Sequence, residues 1–185
     1  MKRFIWLIAV LTLLSGCGGT PDQERQAMEL RGQCLAAEQV RFCAAITADY
    51  GDTLENFTLE CQADADGTIR FCVTEPEPIR GITGVVSGQE GALCFGEEML
   101  AFPLMADERI SPVSGPWLML KALRSGVIAA CAEEGDLLHI TLNDSYGDDP
   151  LTVELWAEDG AVAAAEIGWR GRRMLSMQVE DFQMG

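Results

Sequence analysis

The chain has 185 residues, 48% of them hydrophobic, with 13 Lys and Arg against 29 Asp and Glu and a formal net charge of −16. That length suits one domain with its own core, and an excess of negative charge repels nucleic acid and anionic headgroups, so neither is expected as a direct partner. The acidic residues are scattered rather than blocked, which argues against a disordered acidic tail.

The chain opens with Lys2 and Arg3, an apolar run from Phe4 to Leu14, then Leu14-Ser15-Gly16-Cys17. A basic start, a short apolar stretch and small residues before a cut form a secretory signal. A spanning helix needs ~20 apolar residues, about twice this run. The cysteine at the cut resembles the bacterial lipobox, in which the thiol is diacylglycerylated and becomes the first residue of the mature chain. On that resemblance residues 1–16 are the signal peptide, Cys17 is the lipidation site, residues 17–22 are anchor and linker, and residues 23–185 form one domain. Two or three acyl chains of the palmitate type hold a protein stably at a membrane, since each buried CH2 contributes ~0.8 kcal/mol. The expected location is extracytoplasmic, tethered to the cell membrane through Cys17. Cleavage removes Lys2 and Arg3, so the mature chain is more acidic still.

Gln23 to about Val40 reads as a helix, with Met28, Leu30, Cys34 and Leu35 near one face. The period then changes to two: Phe42, Ala44, Ile46, Ala48 and Tyr50 alternate with more polar residues in a first strand, and Phe57, Leu59 and Cys61 continue the pattern after a turn at Gly51-Asp52. The hairpin at Asp64 to Thr68 limits its own register. A three-residue loop with Gly67 in the left-handed position pairs Leu59 with Val73 and Ala63 with Ile69, which keeps one face apolar. Pro76 and Pro78 end that strand, and Gly81 to Ser87 with Ala92 to Phe95 give another hairpin. Residues 103–116 read as a loop, followed by an apolar helix from Pro116 to Ser125 that stops at Gly126. Strands are expected at Leu137 to Asn143, Leu151 to Ala157, Ala163 to Arg170 and Arg172 to Phe182. Eight or nine antiparallel strands and two helices make an α+β layout with a strongly curved sheet.

With Cys17 lipidated, Cys34, Cys43, Cys61, Cys72, Cys94 and Cys131 remain. An even count in an exported domain suggests disulfides. Cys34 with Cys43, separated by a short connection, is the first candidate pair. Cys61 with Cys72 is the second, held back because the hairpin register sends the two to opposite faces. There is no CxxC pair, and His139 stands in an alternating run as a half-buried strand residue, so no metal site is expected.

Catalytic patterns are not evident. Gln62-x-Asp64-x-Asp66-Gly67 is similar to a calcium loop, but Val73 stands where a carboxylate is required, and the hairpin reading wins. The acidic turn from Asp144 to Asp149 reads as a solvated turn. Without a second histidine or a GxSxG, a serine or cysteine hydrolase has no base. Arg170, Arg172 and Arg173 form the basic cluster, read first as a charged turn that guards a strand edge and second as a contact for a phosphate or an acidic partner. No cofactor and no enzyme activity are expected.

The order of elements, together with Phe57-Thr58-Leu59, the run Val73-Thr74-Glu75-Pro76-Glu77-Pro78-Ile79-Arg80-Gly81-Ile82, Ser111-Pro112 leading into Trp117-Leu118-Met119-Leu120, Ala165-Glu166-Ile167 and Asp181-Phe182, resembles the LolA/LolB-like lipoprotein-carrier superfamily, most closely its Gram-positive lipoprotein branch. The resemblance implies an incomplete β-barrel, with the N-terminal helix and the internal apolar helix on its concave side, whose apolar face receives acyl chains in several members. The candidate lining of such a cavity is Phe42, Ile46, Phe57, Leu59, Phe71, Val73, Phe95 and Trp117. Two readings follow: a tethered module binding a lipid or other apolar ligand, or a ligand-free lipoprotein that docks an envelope protein, resembling the spore germination lipoproteins of clostridia that dock an envelope enzyme. An apolar cavity favours the first, and a filled interior with an exposed apolar strand edge favours the second.

Overall fold

A computed structural model describes residues 19–185 apart from residues 89, 107, 108 and 148. The first helix, α1 (Pro21–Ala36), starts where local chemistry dictates: Thr20 Oγ1 accepts from the Gln23 backbone N–H, the Gln23 side chain accepts from the Thr20 N–H, and Pro21 sits in the first turn. Asp22 and Glu24 complement the positive end of the helix dipole. Ala27, Leu30 and Cys34 form its buried stripe. The helix ends before the expected Val40, because Val40 is buried in the first strand instead.

β1 (Gln39–Asp49) and β2 (Leu54–Asp64) pair along their full length, with Val40, Phe42, Ala44, Ile46 and Ala48 all turned inward. The β2–β3 hairpin, with β3 at Ile69–Glu75, has the expected register: Leu59 faces Val73 and Ala63 faces Ile69. Gly67 has φ 87°, a conformation that costs a glycine nothing. A 3-10 turn at Glu77–Ile79 leads to β4 (Thr83–Ser87), β5 (Glu90–Phe95) and β6 (Glu98–Pro103). A small ribbon of β7 (Met105–Ala106) and β8 (Arg109–Ile110) and a 3-10 turn at Pro112–Ser114 precede α2 (Gly115–Ser125). The chain closes with β9 (Val127–Glu134), β10 (Leu137–Asn143), β11 (Leu151–Glu158), β12 (Ala161–Trp169) and β13 (Arg172–Met184).

Eleven strands form one antiparallel sheet in the order β6-β5-β4-β3-β2-β1-β13-β12-β11-β10-β9. The first and last strands of the chain thus meet at its middle, and the sheet curves without closing into a barrel. β6 and β9 of this sheet lie beyond the expected set, as does the β7–β8 ribbon inside the expected loop at 103–116. β6 shows no alternation because both of its faces are largely exposed, and β9 is an alanine-rich run with little periodic signal.

Both helices cover one face. Eight of the eleven residues of α2 are buried, and it packs on β10, β11, β12 and α1. Gly115 lets it approach the sheet: a Cβ there would lie 3.0 Å from Met177 Sδ and 3.2 Å from Leu175 Cδ1. The open carbonyls at its C-terminal end are taken by α1, whose Arg31 donates through Nε to Leu123 O and through Nη2 to Gly126 O, both at 2.7 Å.

Candidate functional site

The interior was the expected site. Six of the eight candidate lining residues lie instead in the packed core: Leu59 is 0% exposed, Ile46 1%, Val73 2%, Phe71 3%, Phe42 4% and Trp117 7%. A wall residue of an acyl-sized hollow keeps surface that a water-sized sphere can touch; Leu59, Ile46 and Val73 keep almost none, while Phe42 and Phe71 also border an open groove. Phe57 is half-buried against the same core, and Phe95, at the end of β5, is 46% exposed. Trp117 is therefore core rather than a lid, with Lys121 Nζ 5.2 Å from its ring centre.

The opposite face of the sheet carries an open groove of about 1170 Å³. Its floor follows from strand register. Cys43 stands opposite Glu60, Glu60 opposite Cys72, Cys72 opposite Thr83 and Thr83 opposite Cys94, so three thiols lie in one row across β1 to β5. Arg41, Arg70, Val85 and Glu180 flank the row, and Arg70 is held by Asp64. Successive thiols are two strand spacings apart, about 9.5 Å between Cα atoms, beyond the ~7 Å that a disulfide spans.

The expected disulfides do not form, and all six cysteines are free. Cys34 is buried beneath α1 beside Arg124, whereas Cys43 is on the outer face of β1, so the sheet itself separates the first candidate pair. Cys61 is opposite Phe71 and points inward, while Cys72 points outward, as the hairpin register dictates. Burial pushes the thiols of Cys34, Cys61 and Cys131 above the ordinary thiol range. Cys43 is also raised, by burial and then by the carboxylates of Glu180, Glu60 and Asp181.

His139 is half-buried in β10 as expected. Its ring stacks on Trp156, with centroids 4.6 Å apart and planes 4° apart, and Nε2 lies 2.7 Å from Glu154 Oε2. The same oxygen accepts from Thr141 Oγ1, and Trp156 Nε1 donates to Glu134 Oε2, each at 2.7 Å. Partners within the sheet thus engage this cluster. No group of three or more metal-ligating side chains is found among the described residues. At the acidic turn, Asp144 Oδ1 accepts from the Leu151 N–H at 2.8 Å and closes the β10–β11 connection.

The arginine cluster does not guard an edge. β12 and β13 are interior strands, and each arginine meets a carboxylate: Arg170 with Asp149 at 3.1 Å, Arg172 with Asp49 at 3.7 Å and Arg173 with Glu166 at 2.6 Å.

The real edges are β9 and β6, and they differ. At β9 the segment leading into α1 passes so closely that a Cβ on Gly19 would sit 2.4 Å from the Cys131 carbonyl oxygen, and α1 packs alongside. Among the described residues β6 has no such cover. Met99 and Leu100 are 67% and 59% exposed, beside Phe95. Periodicity missed this surface, yet a compositional signal marks it: between Arg80 and Arg109 there is no Lys or Arg, while Glu90, Glu97, Glu98, Asp107 and Glu108 all fall there.

No protein-family model matches the chain, and no curated protein matches it. Solved structures with a similar fold include a LolA superfamily protein from Nitrosomonas europaea, 8% identical, covering 86% of this chain and 93% of that one with a TM-score of 0.45. A DUF1329 family protein from Desulfovibrio piger is 7% identical over 90% of this chain and 93% of its own, with a TM-score of 0.49. The lipoprotein LppX from Mycobacterium tuberculosis is 11% identical over 87% and 93%, with a TM-score of 0.41. Likeness at this level brings neither a family nor a ligand with it. No helix among the described residues is long and apolar enough to cross a membrane.

Proposed function

We propose that this chain is an extracytoplasmic lipoprotein, tethered through acyl chains on Cys17, that works without catalysis by docking a second envelope protein. One observation carries the docking reading: the interior is filled, with six of its eight expected lining residues 0–7% exposed, while the seventh, Phe57, is half-buried and the eighth, Phe95, stands out with Met99 and Leu100 at a sheet edge that no described strand covers. The lipobox sequence supports the tether, although Cys17 lies outside the described residues. A place in the Gram-positive lipoprotein branch rests on the short motifs quoted above.

A photoreactive residue at position 100, with Glu158 on the far half of the sheet as control site, tests docking in intact cells. A single discrete adduct from position 100 and none from position 158 is the expected outcome. The groove of about 1170 Å³ favours a second reading, an apolar ligand laid across the thiol row. Native mass spectrometry and titration with a fluorescent fatty acid separate the two. A co-purifying lipid, or saturable fatty-acid binding lost in Val85→Glu, would replace docking with ligand binding.

A further inference from the structure

The β5–β6 hairpin is closed by Gly96 and Glu97, with Phe95 opposite Glu98 and Gly96 at φ 65°. In such a two-residue hairpin the flanking pair is hydrogen-bonded and the pattern alternates from there. Leu100 and Phe102 therefore bond to β5, while Met99 and Ala101 turn their N–H and C=O groups to the outer side. Among the described residues no strand lies on that side. Soluble proteins blunt such edges with lysine, an inward charge or an early proline; β6 has no lysine, its one charge is Glu98 beside the turn, and its proline, Pro103, is its last residue. Glu90, Glu97 and Glu98 give the hairpin negative charge with no Lys or Arg in it.

We infer that β6 accepts an added strand from a partner protein, an extended segment whose apolar residues lie between lysines or arginines. The inference rests on the docking reading and names the partner's chemistry. The main-chain groups of Met99 and Ala101 supply the pairing, Met99 and Leu100 offer apolar contacts on the two faces, and the glutamates select a basic segment. Charge also decides against a second copy of this chain, since two edges with the same glutamates repel.

The probe is a decapeptide of alternating valine and threonine with two lysines at each end, titrated by fluorescence anisotropy into the full-length protein in neutral detergent micelles. Two further peptides carry glutamates for the lysines, or N-methyl groups on alternate amides. The protein variant is Ala101→Pro, which removes an outward N–H and leaves the β5 pairing in place. The lysine peptide should bind saturably, the glutamate peptide at least about tenfold more weakly at low salt, and the methylated peptide and the proline variant not measurably. Equal binding of the lysine and glutamate peptides, undiminished binding of the methylated peptide, or no binding of any peptide would overturn the inference. So would a dimer in sedimentation that Ala101→Pro abolishes, because the occupant would then be a second copy. If the proline variant loses its native circular dichroism, the methylated peptide still decides. Failure of every peptide while the position-100 adduct persists in cells would remove strand addition and leave docking standing. Loss of both would remove both.

Discussion

At the scale of single residues, the thiols are the sharpest case. Their expected pairing came from their number and an exported setting, but a disulfide needs two side chains on the same side of the backbone within reach. The sheet puts Cys34 and Cys61 on one side and Cys43, Cys72 and Cys94 on the other. Alkylation of the denatured, unreduced protein should therefore modify all six; fewer adducts in mass spectrometry would reveal a bridge. Because burial raises the thiols of Cys34, Cys43, Cys61 and Cys131 in the folded chain, the folded state favours the protonated form. Their stabilising effect is complete below the unfolded thiol range and is lost as pH rises above about 9. Urea midpoints measured from pH 7 to pH 10 should fall at the alkaline end, less steeply in Cys61→Ala than in the wild type. Cys17 makes the other residue-level prediction: Cys17→Ala should leave the chain uncleaved or shift it out of the membrane fraction, and unchanged retention with unchanged cleavage would remove the lipobox reading.

At the scale of elements, α2 binds the fold together. It is apolar on nearly every side because the sheet, α1 and the preceding turn all cover it. Trp117→Ala should lower stability by ~3–5 kcal/mol, with no new fatty-acid binding, since a core residue rather than a gate has been removed. Arg31 ties α1 to the end of α2 through two charge-assisted hydrogen bonds from a partly buried guanidinium. Arg31→Met keeps most of the aliphatic stem and should cost about 2 kcal/mol, seen as a lower thermal midpoint. On the β5–β6 hairpin, Phe102 lies over Gly91, where a Cβ would sit 2.2 Å from Phe102 Cζ. Gly91→Val should displace that ring and cost about 1–3 kcal/mol. Hydrogen exchange should rise at β5 and β6 while β1 and β13 stay protected.

At the scale of the whole molecule, an eleven-stranded open sheet has two edges to manage, and the chain manages them unequally. β9 is lined by the residues that lead into α1, and β6 stands at the far end of the strand order. A net charge of −16 keeps such molecules apart in solution and makes contacts with basic partners salt-sensitive.

Most of the strands were legible because burial on one face forces a period of two, as in Phe42 to Tyr50 and Leu137 to Asn143. The β2–β3 register was legible too, since a single slip would expose Leu59 and Ile69. β6 was not, because a strand exposed on both faces carries no alternation. The candidate lining shows the same limit from the other side. Inward phase identifies Phe42, Ile46, Leu59, Phe71 and Val73 as apolar-facing, but phase is identical for a cavity wall and a packed core.

By itself the sequence determined the acidic balance, the existence of the two helices and most of the period-two strands, because each depends on residues near one another in the chain. Only the tertiary structure decided what the interior holds, since filling it depends on how closely Gly115 lets α2 approach Leu175 and Met177. The fate of the thiols and the identity of the edges were decided there as well. Both depend on which strands become neighbours, and the pairing of β1 with β13 joins residues at opposite ends of the domain that no local pattern could relate.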